Sequence, residues 1–309
     1  MSAKQLRQRF LRTFRGMSKY RRTTAWGIFS AYVLQIAGSI GLGHYLLSEP
    51  VTALSGAAVV LLGMFIATRL RGLNNIVHEC SHATFSENLR DNTVIGSLSA
   101  SISLGCFRDY RDEHMTHHAN VGDYENDLDL QGIEALRIDE ALSPRVILRH
   151  AVTPFILRHL PYYLRANFTA GDGRGYQALK IGLVVATALL AVVAPLTAIF
   201  MVIIPFAFFY TTLNYWTDCF DHAGISMSGD DLDSSRNVLA PWLLRVIFFP
   251  RNDSYHLVHH LFPQVPARHL PQTHKTLCAD EIYQAKDNAV RPFWKLGKHT
   301  SEEKVRRTM

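Results

Sequence analysis

Three clusters of histidine dominate the chemistry that this 309-residue sequence can offer: His78-Glu79-Cys80-Ser81-His82, His114-Met115-Thr116-His117-His118 and His256-Leu257-Val258-His259-His260. On a helix, residues i and i+4 share one face, so His78 and His82 can reach a single metal. In the other two clusters the i, i+3, i+4 spacing aims three imidazoles to one side. The adjacent pair diverges by about 100°, enough to serve two neighbouring metals. A lone H-x-x-x-H is weak evidence, because short motifs recur by chance. With 15 histidines in the chain, chance supplies about 0.04 copies of H-x-x-H-H by frequency counting, and two are present. Zinc takes four ligands, three of them from protein at catalytic sites, so eight imidazoles imply two metals. Imidazole suits iron, copper, nickel and zinc alike, which leaves the metal open. Neutral imidazoles add no negative charge, so such a centre stays electrophilic and suited to oxygen activation.

The elements that must position these clusters are apolar helices. Residues 24–47 and 51–70 are each long enough to cross a bilayer core of about 30 Å at 1.5 Å per residue. Only Ser48, Glu49 and Pro50 separate them. A second pair spans 178–194 and 196–216, with Pro195 at the reversal. In lipid the backbone must satisfy itself, which selects helices. The expected fold is an all-α integral membrane protein of four transmembrane helices in two hairpins, with a helical cytoplasmic cap holding a His-rich two-metal site. The expected organisation is a basic N-terminus (1–23), a membrane domain (24–270) and a C-terminal tail (271–309). Three apolar segments, 93–107, 150–168 and 238–249, are too short or broken to span. They read as interfacial or as helices of the cap.

Charge sets the orientation. Lys4, Arg7, Arg9, Arg12, Arg15, Lys19, Arg21 and Arg22 precede the first span with no acid among them; Arg69, Arg71, Arg174 and Lys180 flank the later ones. The short connections on the far side carry no Lys or Arg. The positive-inside rule therefore places both termini and the histidine clusters in the cytoplasm, with a bacterial inner membrane the expected location. This accounts for the net charge of +6 without a nucleic-acid partner. Cys80, Cys106, Cys219 and Cys278 are too scattered for a disulfide framework or a zinc knuckle and read as buried thiols in a reducing compartment. No signal peptide with a trustworthy cleavage site is legible.

Taken together, NNIVHECSHATF, RDEHMTHHANVGDYENDLDL and NDSYHLVHHLFPQVPARHLP resemble the membrane fatty acid desaturase and hydroxylase superfamily. Its three histidine boxes occur here in order and at matching spacing, over roughly residues 74–270. The resemblance implies two iron ions and O2-dependent oxidation of an unactivated C–H, with fatty acyl desaturation as the leading activity. It also implies a ninth metal histidine near the end of the fourth span, which is His222 in DCFDHAG. By similarity, His78, His82, His114, His118 and His260 hold one iron, and His117, His222, His256 and His259 the other. Animal acyl-CoA desaturases place an asparagine four residues before the ninth histidine, near iron through water. This chain has Asp218 there, with Asn214 one turn earlier.

Metal-bound histidines usually donate their other N–H to a carboxylate or carbonyl. Glu79, Asp112, Glu113, Asp221 and Asp253 are candidates by proximity in sequence, against the alternative that each is a solvated surface acid. His44, His150, His159, His269, His274 and His299 lack cluster spacing and read as interface or surface residues. Two other function classes remain in view. HECSH is literally the H-E-x-x-H signature of zinc metalloproteases, though that leaves both H-x-x-H-H clusters without a role. A metal transporter would carry its ligands near the bilayer midplane. Desaturation and hydroxylation of a lipid or small molecule share the same first hydrogen abstraction. The alkane hydroxylases' N-Y-x-x-H-Y-G is absent, and desaturation is preferred by analogy. Without H-P-G-G, a flavin fingerprint or ferredoxin cysteines, an external electron donor such as ferredoxin is expected alongside the acyl substrate (lipid-, CoA- or carrier-protein-bound) and membrane lipids.

Overall fold

The computed structural model describes residues 2–121, 123–130, 134–225 and 230–292. Among them there is no strand, only an isolated bridge between Tyr20 and Ser86. Helix α1 (Ala3–Phe14) precedes α2 (Arg22–Ser48) and α3 (Ala53–Ser81). Next come α4 (Leu89–Ile102), α5 (Phe107–Asn120) and α6 (Pro144–Val152). Helix α7 (Arg174–Val193) is followed by the long element α8 (Pro195–His222). The described chain closes with α9 (Trp242–Phe248), α10 (His256–Leu261) and α11 (Leu270–Leu277), plus short turns. Helices α2, α3, α7 and α8 are long and apolar enough to cross a membrane. They coincide with the four expected spans, but α3 and α8 run well past the apolar stretches.

That overrun positions the site. Helix α3 begins at Thr52, whose side chain accepts from the Ser55 N–H in a capping box, as Thr before a helical run favours. Its first half exposes Leu54 and Leu61; from Ile66 onward nearly every residue is buried. One rigid rod thus carries Arg71, Asn75, His78 and Glu79 from the apolar zone into a protein core. Helix α2 packs closely along it. A Cβ at Gly72 would come within 2.1 Å of Tyr32 Cε1, so a side chain there must displace the Tyr32 ring from the helix seam. Helix α8 opens into π geometry over Ile199–Ile203 and Pro205–Tyr210; proline at position 205 cannot supply its N–H to the ladder. Regular α geometry resumes over Thr211–His222.

The short apolar segments resolve differently from one another. Helix α4 buries Ile95, Gly96, Ser97, Ser99 and Ala100 against α3 and is a core helix. Phe155, Ile156 and Leu157 remain exposed, as do Trp242 and Leu243 on α9, consistent with apolar surface facing lipid. His150 and His159 are not surface residues as their spacing suggested. Both are buried: His150 Nδ1 lies 2.6 Å from Tyr215 Oη and His159 Nε2 lies 3.0 Å from Thr211 Oγ1. All four cysteines are free; Cys80 and Cys106 are buried, and Cys219 and Cys278 half-buried.

Candidate metal centre

The ends of α3, α5, α8 and α10 converge. Helix α3 delivers His78, and its C-cap is His82. Helix α5 delivers His114, His117 and His118, α8 ends on His222, and α10 begins on His256 and carries His259 and His260. All nine histidines come together in two adjacent groups, each able to hold a metal ion: His78, His82, His114, His118 and His259, then His117, His222, His256 and His260. Within each group one nitrogen per residue lies within 4.8 Å of every other. The sequence-based partition is therefore corrected at one pair, because His259 joins the first group and His260 the second. The cause is the direction in which α10 enters: adjacent helical residues point about 100° apart, and this helix turns His259 toward α3.

The inward contacts are between Nε2 atoms. His78 and His259 approach to 2.7 Å, His118 and His259 to 3.0 Å, and His82 and His114 to 3.1 Å. In the second group His256 lies 2.9 Å from His222 and 3.0 Å from His260. Outward contacts fix several tautomers. His114 Nδ1 faces Asp129 Oδ2 at 3.2 Å, His117 Nδ1 faces Asp127 Oδ2 at 2.8 Å, and His222 Nδ1 donates to the Ser234 carbonyl at 3.0 Å. With Nδ1 donating outward, each Nε2 presents its lone pair inward. Lone pairs that converge at such distances repel unless a cation stands among them. The donor set therefore fits two cations that favour imidazole.

Electrostatics agree. Burial, then the neighbouring imidazoles, drives His118, His256, His259 and His260 below the ordinary histidine range. Burial and His114 do the same to His82. The neutral form so favoured is the ligating form. His117 goes the other way: burial opposes its charge, but the hydrogen bond and charge of Asp127 prevail and raise it. Burial pushes Asp129 up, yet its hydrogen bond to His114 leaves it below the usual carboxylate range.

The acids chosen by sequence proximity fall elsewhere. Glu79 pairs with Arg251, Asp253 with Arg71 at 2.6 Å, and Asn214 accepts from Arg71 at 3.2 Å. Asp221 stands 3.8 Å from His256 Nδ1 and Asp253 3.9 Å from His78 Nδ1, both beyond hydrogen bonding. Asp112 is exposed. Asp218 belongs to neither histidine group and accepts from Tyr163 Oη at 2.7 Å. The carboxylates that do hold ligand rings, Asp127 and Asp129, lie in the NDLD segment just after the second cluster. They stand two apart in a segment of hydrogen-bonded turns, ten and fifteen residues from their histidines. A cavity of about 260 Å³ opens beside the groups, lined by Arg71, Glu113, Tyr163, Asn214 and Asp218 among others. The protease reading fails on geometry, since Glu79 is committed to Arg251 and both histidines of HECSH sit in a five-histidine group.

Known proteins place the chain. The family profile described as fatty acid desaturase matches residues 53–289. A dihydrorhizobitoxine desaturase from Bradyrhizobium elkanii is 27% identical over 248 residues, 73% of this chain and 68% of that protein. An endoplasmic-reticulum omega-3 fatty acid desaturase from Vigna radiata var. radiata is 24% identical over 263 residues, 73% of this chain and 68% of that protein. A temperature-sensitive sn-2 acyl-lipid omega-3 desaturase (ferredoxin) from Arabidopsis thaliana chloroplasts is 26% identical over 222 residues, 62% of this chain and 50% of that protein. The chain thus spans about half the length of some of the relatives it matches. With all three clusters inside the matched region, the chain belongs to the fatty acid desaturase family.

Proposed function

We propose that the protein desaturates an acyl chain at a centre of two irons held by His78, His82, His114, His118 and His259 on one side and His117, His222, His256 and His260 on the other. The observation that carries this is the convergence of nine imidazole nitrogens into two groups at the ends of apolar helices. When bound, the two irons would supply activation of O2 and removal of hydrogen from an unactivated C–H. The chain's own residues do the rest. Asp127, Asp129 and the Ser234 carbonyl orient the rings. The buried surroundings favour the neutral, ligating form of His82, His118, His256, His259 and His260, while Asp127 holds His117 by hydrogen bond and charge.

The membrane arrangement belongs to the same proposal: two helical hairpins, with the histidine-bearing helix ends, the cap and both termini on the cytoplasmic side of a bacterial inner membrane. The basic residues around Arg22, Arg71 and Arg174 support it. Electrons come from an external carrier, and one relative carries ferredoxin in its name. A second reading, a small polar substrate, is supported by the polar lining at Arg71, Asn214 and Asp218 and by the relative named for dihydrorhizobitoxine rather than a fatty acid. Expression in a host of known lipid composition, followed by mass spectrometry with double-bond localisation, tests the proposal. A new double bond is expected, and an unchanged lipid profile beside a fully metallated protein would reject acyl desaturation in favour of the second reading.

A further inference from the structure

Helix α1 lies outside the matched family region and has two unlike faces. Its inner face buries Ala3, Leu6 and Phe14 in one cluster with Leu257, Val258, Leu261 and Phe262. Phe10 stacks on Phe14 at 5.6 Å, and Phe14 meets Phe262 edge-on at 4.9 Å. From the same side Arg7 donates Nη2 to the His260 carbonyl at 2.9 Å and Nε to the Leu261 carbonyl at 3.0 Å, and it pairs with Asp231. Helix α1 therefore covers α10 and touches the backbone of a proposed iron ligand. Its outer face exposes Lys4, Leu11 and Arg12, which at 100° per residue fall within an arc of about 100°, and the exposed Arg15 follows as the cap at the end of the helix. Arg9 is committed to Asp280, whereas Lys4, Arg12 and Arg15 have no acidic partner among the described residues. No Asp or Glu occurs before Glu49.

We propose that the outer face of α1 is the docking surface for a small acidic one-electron carrier protein, seated one helix away from His260. This rests on the reading of the centre as a di-iron desaturase. Removing two hydrogens from substrate while reducing O2 to two waters needs two further electrons and two protons. Two carriers in turn are each oxidised by one electron as iron is reduced. A basic amphipathic helix lies in lipid when its apolar face is free to enter the bilayer; here that face is already buried against α10. What points outward is a set of cations around one exposed leucine, the make-up of a charge-steered protein interface. A helix is about 10–12 Å across with its side chains, so α1 alone separates a docked carrier from the histidine helix.

The test uses the full chain in zwitterionic phosphatidylcholine nanodiscs, with an acidic [2Fe–2S] ferredoxin as the probe. Binding to the unmodified protein should weaken as salt rises from about 20 to about 200 mM, as screening shortens the reach of exposed charges. The triple variant Lys4→Glu, Arg12→Glu, Arg15→Glu should bind roughly tenfold or more weakly at low salt and lose most of that salt dependence. Its glutamine counterpart should fall between the two. Single turnover after chemical reduction by dithionite should be unchanged in both variants, separating docking from chemistry. Equal ferredoxin binding by all three proteins would overturn the proposal. So would a defect that appears only as lost association with anionic phosphatidylglycerol vesicles, which would make the face a lipid contact. Failure of the unmodified protein to turn over with dithionite would instead reject the desaturase reading, and leave the binding comparison intact.

Discussion

His78 and His259 stand 181 positions apart, yet their Nε2 atoms face each other at 2.7 Å. That contact joins the end of the second apolar helix to the short helix near the C-terminus, and it assigns His259 to the α3 side of the centre. His260, its chain neighbour, contacts His256 instead. The two adjacent histidines therefore fall in different groups, each able to hold a metal ion. His259→Ala leaves four imidazoles in the first group and His260→Ala leaves three in the second, so each should weaken iron binding at its own group, the second variant more severely. Mössbauer spectra should lose different components in the two variants. Identical spectra after the two substitutions would show that the pair does not divide between sites.

The eight cluster histidines were legible because their spacing is helical and the elements beside them are apolar, whereas His222 was pointed to only by the family resemblance. The partition of His259 and His260 was not legible, because it depends on the angle at which α10 approaches α3, and that angle is set by packing among Leu257, Val258, Leu261 and α1. Sequence proximity is likewise a poor guide to the ring-holding acids. Glu79 follows His78 directly, but the next residue on a helix points about 100° away, into the Arg251 pair. Asp127 and Asp129 reach His117 and His114 only because the chain folds back after α5. The buried state of His150 and His159 was hidden for the same reason: their partners, Tyr215 and Thr211, lie on α8, more than fifty residues on.

Asp127 fixes the ring of His117 from a fully buried position. Replacing such an outer partner typically costs about 10–100-fold in metal affinity. Asp127→Asn should weaken iron binding at the second group by that factor while helical content, read by circular dichroism, stays the same. Asp129→Asn should act on the first group through His114, and more mildly, because Asp129 is partly exposed. Retention of both irons at full affinity in Asp127→Asn would remove Asp127 from the positioning role.

The pair between Arg251 and Glu79 is buried on both sides. The Arg251 guanidinium also sits 4.8 Å from the Phe85 ring and 5.6 Å from that of Tyr20. Arg251 and Asn252 both adopt φ of 65°, a left-handed conformation that side chains disfavour and that the surrounding contacts must hold. Removing one partner of a buried pair leaves the other charge uncompensated, at about 3–5 kcal/mol. Arg251→Met should destabilise the protein by that order in detergent unfolding titrations. Adding Glu79→Gln should recover part of the loss. A double variant no more stable than the single one would mean that Arg251 acts through its aromatic contacts and backbone, not through Glu79.

Asp218 occupies the position where animal acyl-CoA desaturases carry an asparagine, and the question it raises is whether a carboxylate there binds iron. Its side chain lines the cavity beside both groups, but one oxygen accepts from Tyr163 Oη at 2.7 Å and neither histidine group includes it. An acid engaged in this way acts on what enters the cavity. Asparagine can keep the Tyr163 bond, since its amide oxygen accepts as a carboxylate does. Asp218→Asn should therefore retain about two irons per chain with unaltered Mössbauer parameters, while KM changes more than kcat. A lost iron or a shifted spectrum would instead establish Asp218 as a ligand, and the second site would then hold four imidazoles and a carboxylate.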